Sequence, residues 1–140
     1  MEKLMEIILD RGIQNLRNHG SVVPVAFIFS GKEMIIMHMM DFNDKNLAFE
    51  DLRIICRELI ADKIIIMAEA FISCDLSGVL PSMASDREEC IIITGEDVNG
   101  DSCGIVQPFY RDEKGMIKLK DKIKKCKVPP LGRLSNILRE

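Results

Sequence analysis

The sequence predicts an α+β fold, built as a single domain around a mainly antiparallel sheet of five or six strands. Three observations support this prediction. The chain has 140 residues, 47% of them hydrophobic, which is enough for one packed core. Two segments place apolar residues at helical spacing, and five or six others are short apolar runs bounded by turn residues. The expected order is α-β-β-α-β-β-β-α, in which helices set among hairpins are typical of the α+β class.

The helices are predicted from their apolar spacing and their ends. The first covers residues 2–18, and Gly20 suits the left-handed position that follows a helix. The second begins after a cap at Asn43 or Asp44 and is expected to continue to about Ala61. A short terminal helix is expected over residues 131–138.

The strands are predicted from apolar runs and from the turn residues between them. Residues 63–73 are the most apolar segment, and the absence of clean alternation there predicts a central strand covered on both faces. Asn99-Gly100 is the strongest hairpin signal in the chain. The expected strands are a hairpin over 22–40, the central strand 63–73, a pair over 89–98 and 102–110, and a short strand over 116–120. Residues 74–88 form a long connection without clear periodicity, and such loops are often functional.

The charge distribution divides the chain unevenly. Residues 1–110 contain nine Lys or Arg and 18 Asp or Glu, whereas residues 111–140 contain ten and four. A basic segment of this kind can bind a partner. Because it begins inside the last hairpin, it does not indicate a second domain. We expect one domain over residues 1–128 and a short tail or helix over 129–140.

Several classes of protein are disfavoured by the composition. No apolar run approaches the roughly 18–20 residues of a membrane span, and the first residues lack the pattern of a signal peptide. The five cysteines form no C-x-x-C pair, and the two histidines are not at zinc-ligand spacing. We therefore expect a soluble cytoplasmic protein with no cofactor and no metal, in which Cys56, Cys90 and Cys103 are reduced residues of the core.

Four residues are candidates for catalysis: Glu69, Asp86, Arg87 and Glu88. Glu69 lies in the most apolar strand, where a carboxylate needs a partner or has a perturbed pKa, and either suits acid–base chemistry. The cluster that follows residues 74–85 can gather carboxylates for a hard cation such as Mg²⁺. The alternative is structural, with Glu69 paired to Arg87 or facing outward and the cluster forming local ion pairs. We favour the structural alternative.

Five lysines are candidates for binding: Lys118, Lys120, Lys122, Lys124 and Lys125. They can contact phosphates of a nucleic acid, although no aromatic residues are interleaved for base stacking. They can instead protect a sheet edge against unwanted pairing. A third interpretation is that they dock on the acidic remainder of the chain, within one molecule or in a dimer.

His38 lies within a run of methionines at residues 34–40. Thioether and imidazole ligands suit Cu(I). Alternation along a strand, however, places His38 on the face of Met34, Ile36 and Met40, so only part of the set converges. We favour a strand that fills a Met-rich core.

Two resemblances bear on the fold. The element order resembles the profilin-like layout of Roadblock and longin domains, which implies a scaffold or regulatory dimer. The chain also has four short motifs: Ala-Asp-Lys at 61–63, Glu-Ala-Phe at 69–71, Pro-Ser at 81–82 and Asp-Arg-Glu-Glu at 86–89. They are similar to those of a family of small uncharacterised bacterial and phage proteins, which implies a shared domain and no known activity.

The leading functional hypothesis is a small protein-interaction or structural module that assembles as a homo-oligomer. It rests on the absence of nucleophile and phosphate-loop motifs and on an apolar sheet with Met-rich faces. The alternatives are a carboxylate-dependent enzyme with a site near Glu69 and residues 86–89, and nucleic-acid binding through the basic segment.

Overall fold

The structure is a computed structural model and describes residues 1–31, 33–72 and 87–126. The elements within these ranges confirm the α+β class. The helices are α1 (Glu2–His19) and α2 (Lys45–Glu58), the latter preceded by a 3-10 turn (Phe42–Asp44). The strands are β1 (Val25–Ser30), β2 (Glu33–Met39), β3 (Lys63–Ile72), β4 (Glu88–Asp97), β5 (Ser102–Arg111), β6 (Ile117–Leu119) and β7 (Ile123–Cys126). The expected terminal helix and most of the 74–88 loop lie outside the described residues.

The strands form one antiparallel sheet in the order β2-β1-β3-β4-β5-β6. β3 is a central strand, as its apolar run predicts. β7 is a strand that the sequence does not predict, since two of the four residues in Ile123–Cys126 are lysines. It pairs with residues 103–106 of β5, next to the stretch 109–111 that pairs with β6. β7 thus satisfies backbone groups of β5 that the three-residue β6 leaves uncovered.

α1 covers one face of the sheet. It ends at Gly20, which adopts the predicted left-handed conformation with φ of 80° and donates its N–H to the Leu16 carbonyl. Gly12 lets the helix lie close to β3, because a Cβ at this position would be 2.6 Å from Met67 Sδ. The helix packs on the buried strand residues Phe29, Ile65, Met67, Ile91, Ile93, Ile105 and Phe109.

α2 covers part of the opposite face, packing on Ala26, Ile28, Ile64 and Ile66. Its cap is Asp44, whose carboxylate accepts the Leu47 N–H at 3.1 Å. The helix ends three residues earlier than expected. Ile60 takes φ of 51°, and the N–H of the next residue, Ala61, donates to the Cys56 carbonyl. This is the hydrogen bonding of a Schellman motif, with isoleucine where glycine is usual.

The β1–β2 hairpin contains a register shift that changes the faces of β2. Ile28 lies opposite Ile36, but the next residue of β1, Phe29, lies opposite Met34. One residue of β2 is therefore extra, as in a β-bulge, and Met34 and Ile36 lie on opposite faces. Regular alternation predicts one face for both, so that prediction is wrong.

The expectation that the methionine run fills the core is also wrong. Met34, Met37 and Met39 are 52%, 57% and 67% exposed, and in the run 34–40 only Met40 is buried. The physical reason lies in the strand order. β2 is the outermost strand on its side of the sheet, and both helices pack over the inner strands.

Candidate functional site

Glu69 has a structural contact in the sheet. Its carboxylate accepts the backbone N–H of Val22, in the loop between α1 and β1. Val22 is buried, so this N–H depends on a protein acceptor. The partner of Glu69 is this backbone group rather than the side chain of Arg87. Glu69 thereby ties the middle of the α1–β1 loop to β3.

The charged residues that precede and begin β4 point in different directions. Arg87 places its guanidinium over the Phe71 ring, 5.2 Å from the centroid. Glu88 forms an ion pair with Lys120. In the β3–β4 register Glu88 lies opposite Ile72 and Glu69 opposite Ile91, so the two carboxylates are on opposite faces of the sheet. The candidate Asp86 and the nearby Asp75 lie outside the described residues.

Glu89 belongs to a second structural contact with the same loop. Its carboxylate lies 3.2 Å from Arg111 Nε, and Arg111 Nη2 donates to the Gly20 carbonyl at 3.0 Å. Glu69 and Glu89 therefore both hold the loop after α1 against the sheet, one directly and the other through an arginine.

Two buried thiols are poor nucleophiles. Burial raises the pKa of Cys56 to about 11, with a further contribution from the charge of Glu96. Burial also raises the pKa of Cys90 to about 12, although its Sγ lies 3.5 Å from the Ala70 carbonyl, a contact that acts in the opposite direction. Because the thiolate is the reactive form, neither side chain reacts readily at neutral pH.

The basic segment contacts acidic residues of the same molecule. Lys122 Nζ lies 2.7 Å from Glu6 Oε2, and Lys124 Nζ lies 2.9 Å from Glu6 Oε1. Lys124 also lies 3.9 Å from Glu2. Hydrogen bonds from the two lysines lower the pKa of Glu6 below its ordinary value. These contacts fit the docking interpretation, in which the segment neutralises the acidic body within one chain.

The remaining candidate lysines occupy the same side of the sheet. Lys120 pairs with Glu88. Lys118 is an exposed residue of β6 opposite Tyr110, and Lys125 takes the register position opposite Gly104 in β7. This outer side of β5 is therefore rich in lysine, as the edge-protection interpretation also expects.

The other edge of the described sheet has a run of exposed apolar side chains on β2. We define the β2 surface as the exposed side chains of Met34, Ile35, Ile36, Met37 and Met39. Met34, Met37 and Met39 lie opposite Phe29, Phe27 and Val25 and therefore share one face of the sheet. Taking about 200 Å² for a fully exposed Met, their exposures sum to about 350 Å², within the range of the largest patch of a typical monomer. The β2 surface was recognisable in the sequence as a methionine-rich run, but its exposure depends on the strand order.

Comparisons with known proteins give no relative. No family model, no curated protein and no solved structure matches the chain. Within the described ranges, no group of three His, Cys, Asp or Glu residues is arranged to hold a metal ion. In the same ranges no helix has both the length and the apolar character needed to cross a membrane.

Proposed function

We propose that this protein is an interaction module that assembles as a homo-oligomer through the β2 surface. One observation carries the proposal: the outermost strand of the sheet exposes five large apolar side chains in the seven residues of β2. Exposed, hydrophobic edge strands pair readily with other chains. An apolar surface of this size commonly marks a site of protein association.

The two sides of the sheet support the proposal by their contrast. On the β6–β7 side, lysines at 118, 120, 122 and 124 follow one another along the edge, which disfavours pairing with another strand. On the β2 side, the strand Glu33–Met39 has a single formal charge, at its first residue, and contains neither Pro nor Gly. Of the two edges formed by the described strands, the β2 edge is therefore the one suited to association.

A cytoplasmic location is part of this proposal. The thiols of Cys56, on α2, and Cys90, on β4, are both buried and free, and reduced cysteines of this kind suit a reducing compartment. The two alternatives, a carboxylate-dependent enzyme and nucleic-acid binding through the basic segment, stay predictions. Glu69 already accepts a backbone hydrogen bond, and Lys122 and Lys124 already pair with Glu6, so these side chains are less available for catalysis or for phosphate.

Sedimentation velocity of the full chain, from about 1 to 200 μM, tests the proposal in the concentration range expected for a small interface. We expect the wild-type protein to shift from monomer to oligomer across this range. Met37→Lys is expected to remain monomeric. Met116→Lys is a matched control, since Met37 and Met116 are both 57% exposed and the substitutions add the same charge. A wild-type chain that stays monomeric throughout would refute the proposal.

A further inference from the structure

We infer that two copies of this chain join by antiparallel pairing of their β2 strands, so that the two sheets continue across a two-fold axis. This inference rests on the proposed self-association and adds its geometry. The alternative for the same apolar residues is packing of sheet faces, in which the edge backbone groups of β2 remain in water.

The hydrogen bonding of the hairpin determines which β2 backbone groups are available. The Met40 N–H donates to the Pro24 carbonyl at 2.9 Å. In an antiparallel pair, residues alternate between those that bond the neighbouring strand and those that direct N–H and C=O away from it. Between Met39 and Ile36 the register with β1 is regular. Hence Ile36 and His38 bond β1, whereas Met37 and Met39 direct their backbone groups outward.

These outward groups lie on an open edge of the described sheet. β1 occupies the inner side of β2, and among the described strands none follows β2 on its outer side. The side chains around Met37 and Met39 are exposed on both faces. A second strand can therefore approach the edge without displacing an element of the described fold.

A second copy of β2 is the occupant that best fits the charge pattern. Between Glu33 and Asp41 the chain has no Asp, Glu, Lys or Arg. This part of the edge therefore has no charge that would attract a charged peptide. A strand whose apolar residues carry no charge suits it, and residues 34–39 of β2 form such a segment. Complete burial of the β2 surface in both copies would remove on the order of 1,000 Å² from water, an upper limit for edge pairing, so this contact belongs at the small end of protein interfaces.

The opposite edge of the sheet favours a closed dimer. Head-to-tail pairing of β2 with β6 or β7 would generate an open filament. Lys118, Lys120, Lys122 and Lys124 disfavour that contact. Pairing β2 with β2 uses the same surface on both copies, which is the geometry of an isologous two-fold interface.

Amide hydrogen exchange measured residue by residue by NMR tests the pairing directly. As the concentration of the full chain rises from dilute monomer to oligomer, we expect the amides of Met37 and Met39 to become at least about tenfold more protected. The amides of Ile36, His38 and Met40 are expected to be protected at every concentration, because they bond β1 already.

The possible results distinguish pairing of the β2 edges from the self-association on which it rests. If the chain associates while exchange at Met37 and Met39 is unchanged, the edge pairing is wrong and self-association stands. Protection of both amides in the dilute monomer means that another segment of the same chain covers the edge, which also overturns the inference. Growth beyond a dimer into filaments refutes the two-fold geometry, and a strict monomer refutes both proposals.

A pair of substitutions at Met37 gives a second test. Met37→Pro removes an N–H that β1 does not use, a position where proline is tolerated on an edge strand, whereas Met37→Ala only shortens the side chain. We expect the proline variant to weaken the dimer about 30-fold more than the alanine variant, because one intermolecular hydrogen bond is lost from each copy. Circular dichroism and thermal melting confirm that each variant is folded. Equal weakening by the two variants would contradict backbone pairing.

Discussion

Replacing Glu69, a candidate catalytic residue, tests whether its role is structural. Glu69→Ala removes the acceptor of the Val22 N–H. A hydrogen bond to a charged group contributes about 1.5–3 kcal/mol, and an N–H left buried without a partner carries a further penalty. Because Val22 is buried, we expect the free energy of unfolding to fall by about 2–3 kcal/mol. Glu69→Gln keeps an acceptor oxygen and loses only the charge, so the expected loss is about 1 kcal/mol.

Urea unfolding followed by far-UV circular dichroism measures both losses. The method suits the protein because the chain has no Trp and one Tyr. With a slope of about 2 kcal/mol/M, the unfolding midpoint is expected to fall by about 1–1.5 M for alanine and about 0.5 M for glutamine. Glu113→Ala, at an exposed position in the turn before β6, is the control and is expected to change stability by less than about 0.5 kcal/mol. Dilute protein keeps association from contributing to stability.

Two results would refute the reasoning. Equal losses for Glu69→Ala and Glu69→Gln would show that the acceptor oxygen is not what stabilises the loop. No loss for either variant would show that the contact with Val22 is absent in solution. In that case the carboxylate is available for chemistry, and the enzyme hypothesis gains support.

Two further predictions concern helix ends and ion pairs. Ile60→Gly is expected to raise the free energy of unfolding by about 0.5–1 kcal/mol, because an L side chain with φ of 51° is disfavoured there; a lower thermal midpoint than wild type would contradict it. Glu6→Gln is expected to lower stability at pH 7 by about 0.5–1 kcal/mol. Since Lys122 and Lys124 lower the pKa of Glu6 from 4.5, this contribution is present above pH 4.5 and is lost as the pH falls through the lowered value. The urea midpoints of the wild-type protein and of Glu6→Gln, measured from pH 7 to pH 3, check this pH dependence. A difference between the two midpoints that stays constant down to pH 3 would disprove the stabilising ion pair of Glu6.

Local signals predicted most of the elements well. Gly20 ends α1 in the predicted left-handed conformation, and Asp44 caps α2. Both depend on residues near in sequence, where side-chain chemistry decides the backbone. The helix α2 ends before the predicted residue, Ala61, because Ile60 adopts a conformation that isoleucine rarely takes.

The properties that decide the candidate site depend on long-range pairing. β7 forms because part of the edge of β5 is otherwise uncovered. The apolar residues of β2 are typical of a core strand, and it is the strand order that places them outside the area covered by the two helices. The partner of Glu69 is a backbone N–H that is 47 residues away, and composition gives no sign of a backbone partner. Side-chain patterns predict which faces are apolar, but they do not predict which apolar face stays uncovered.

The contact between the basic segment and α1 has a consequence for the order of events during synthesis. Glu6 and Lys122 are separated by 116 residues, so α1 leaves the ribosome long before its cationic partners. Until they arrive, Glu6 lacks Lys122 and Lys124, and the apolar side of the helix has no complete sheet to cover because β3, β4 and β5 follow it in the chain. During synthesis α1 therefore reaches its final packing late, because the last described strand completes the environment of the first helix.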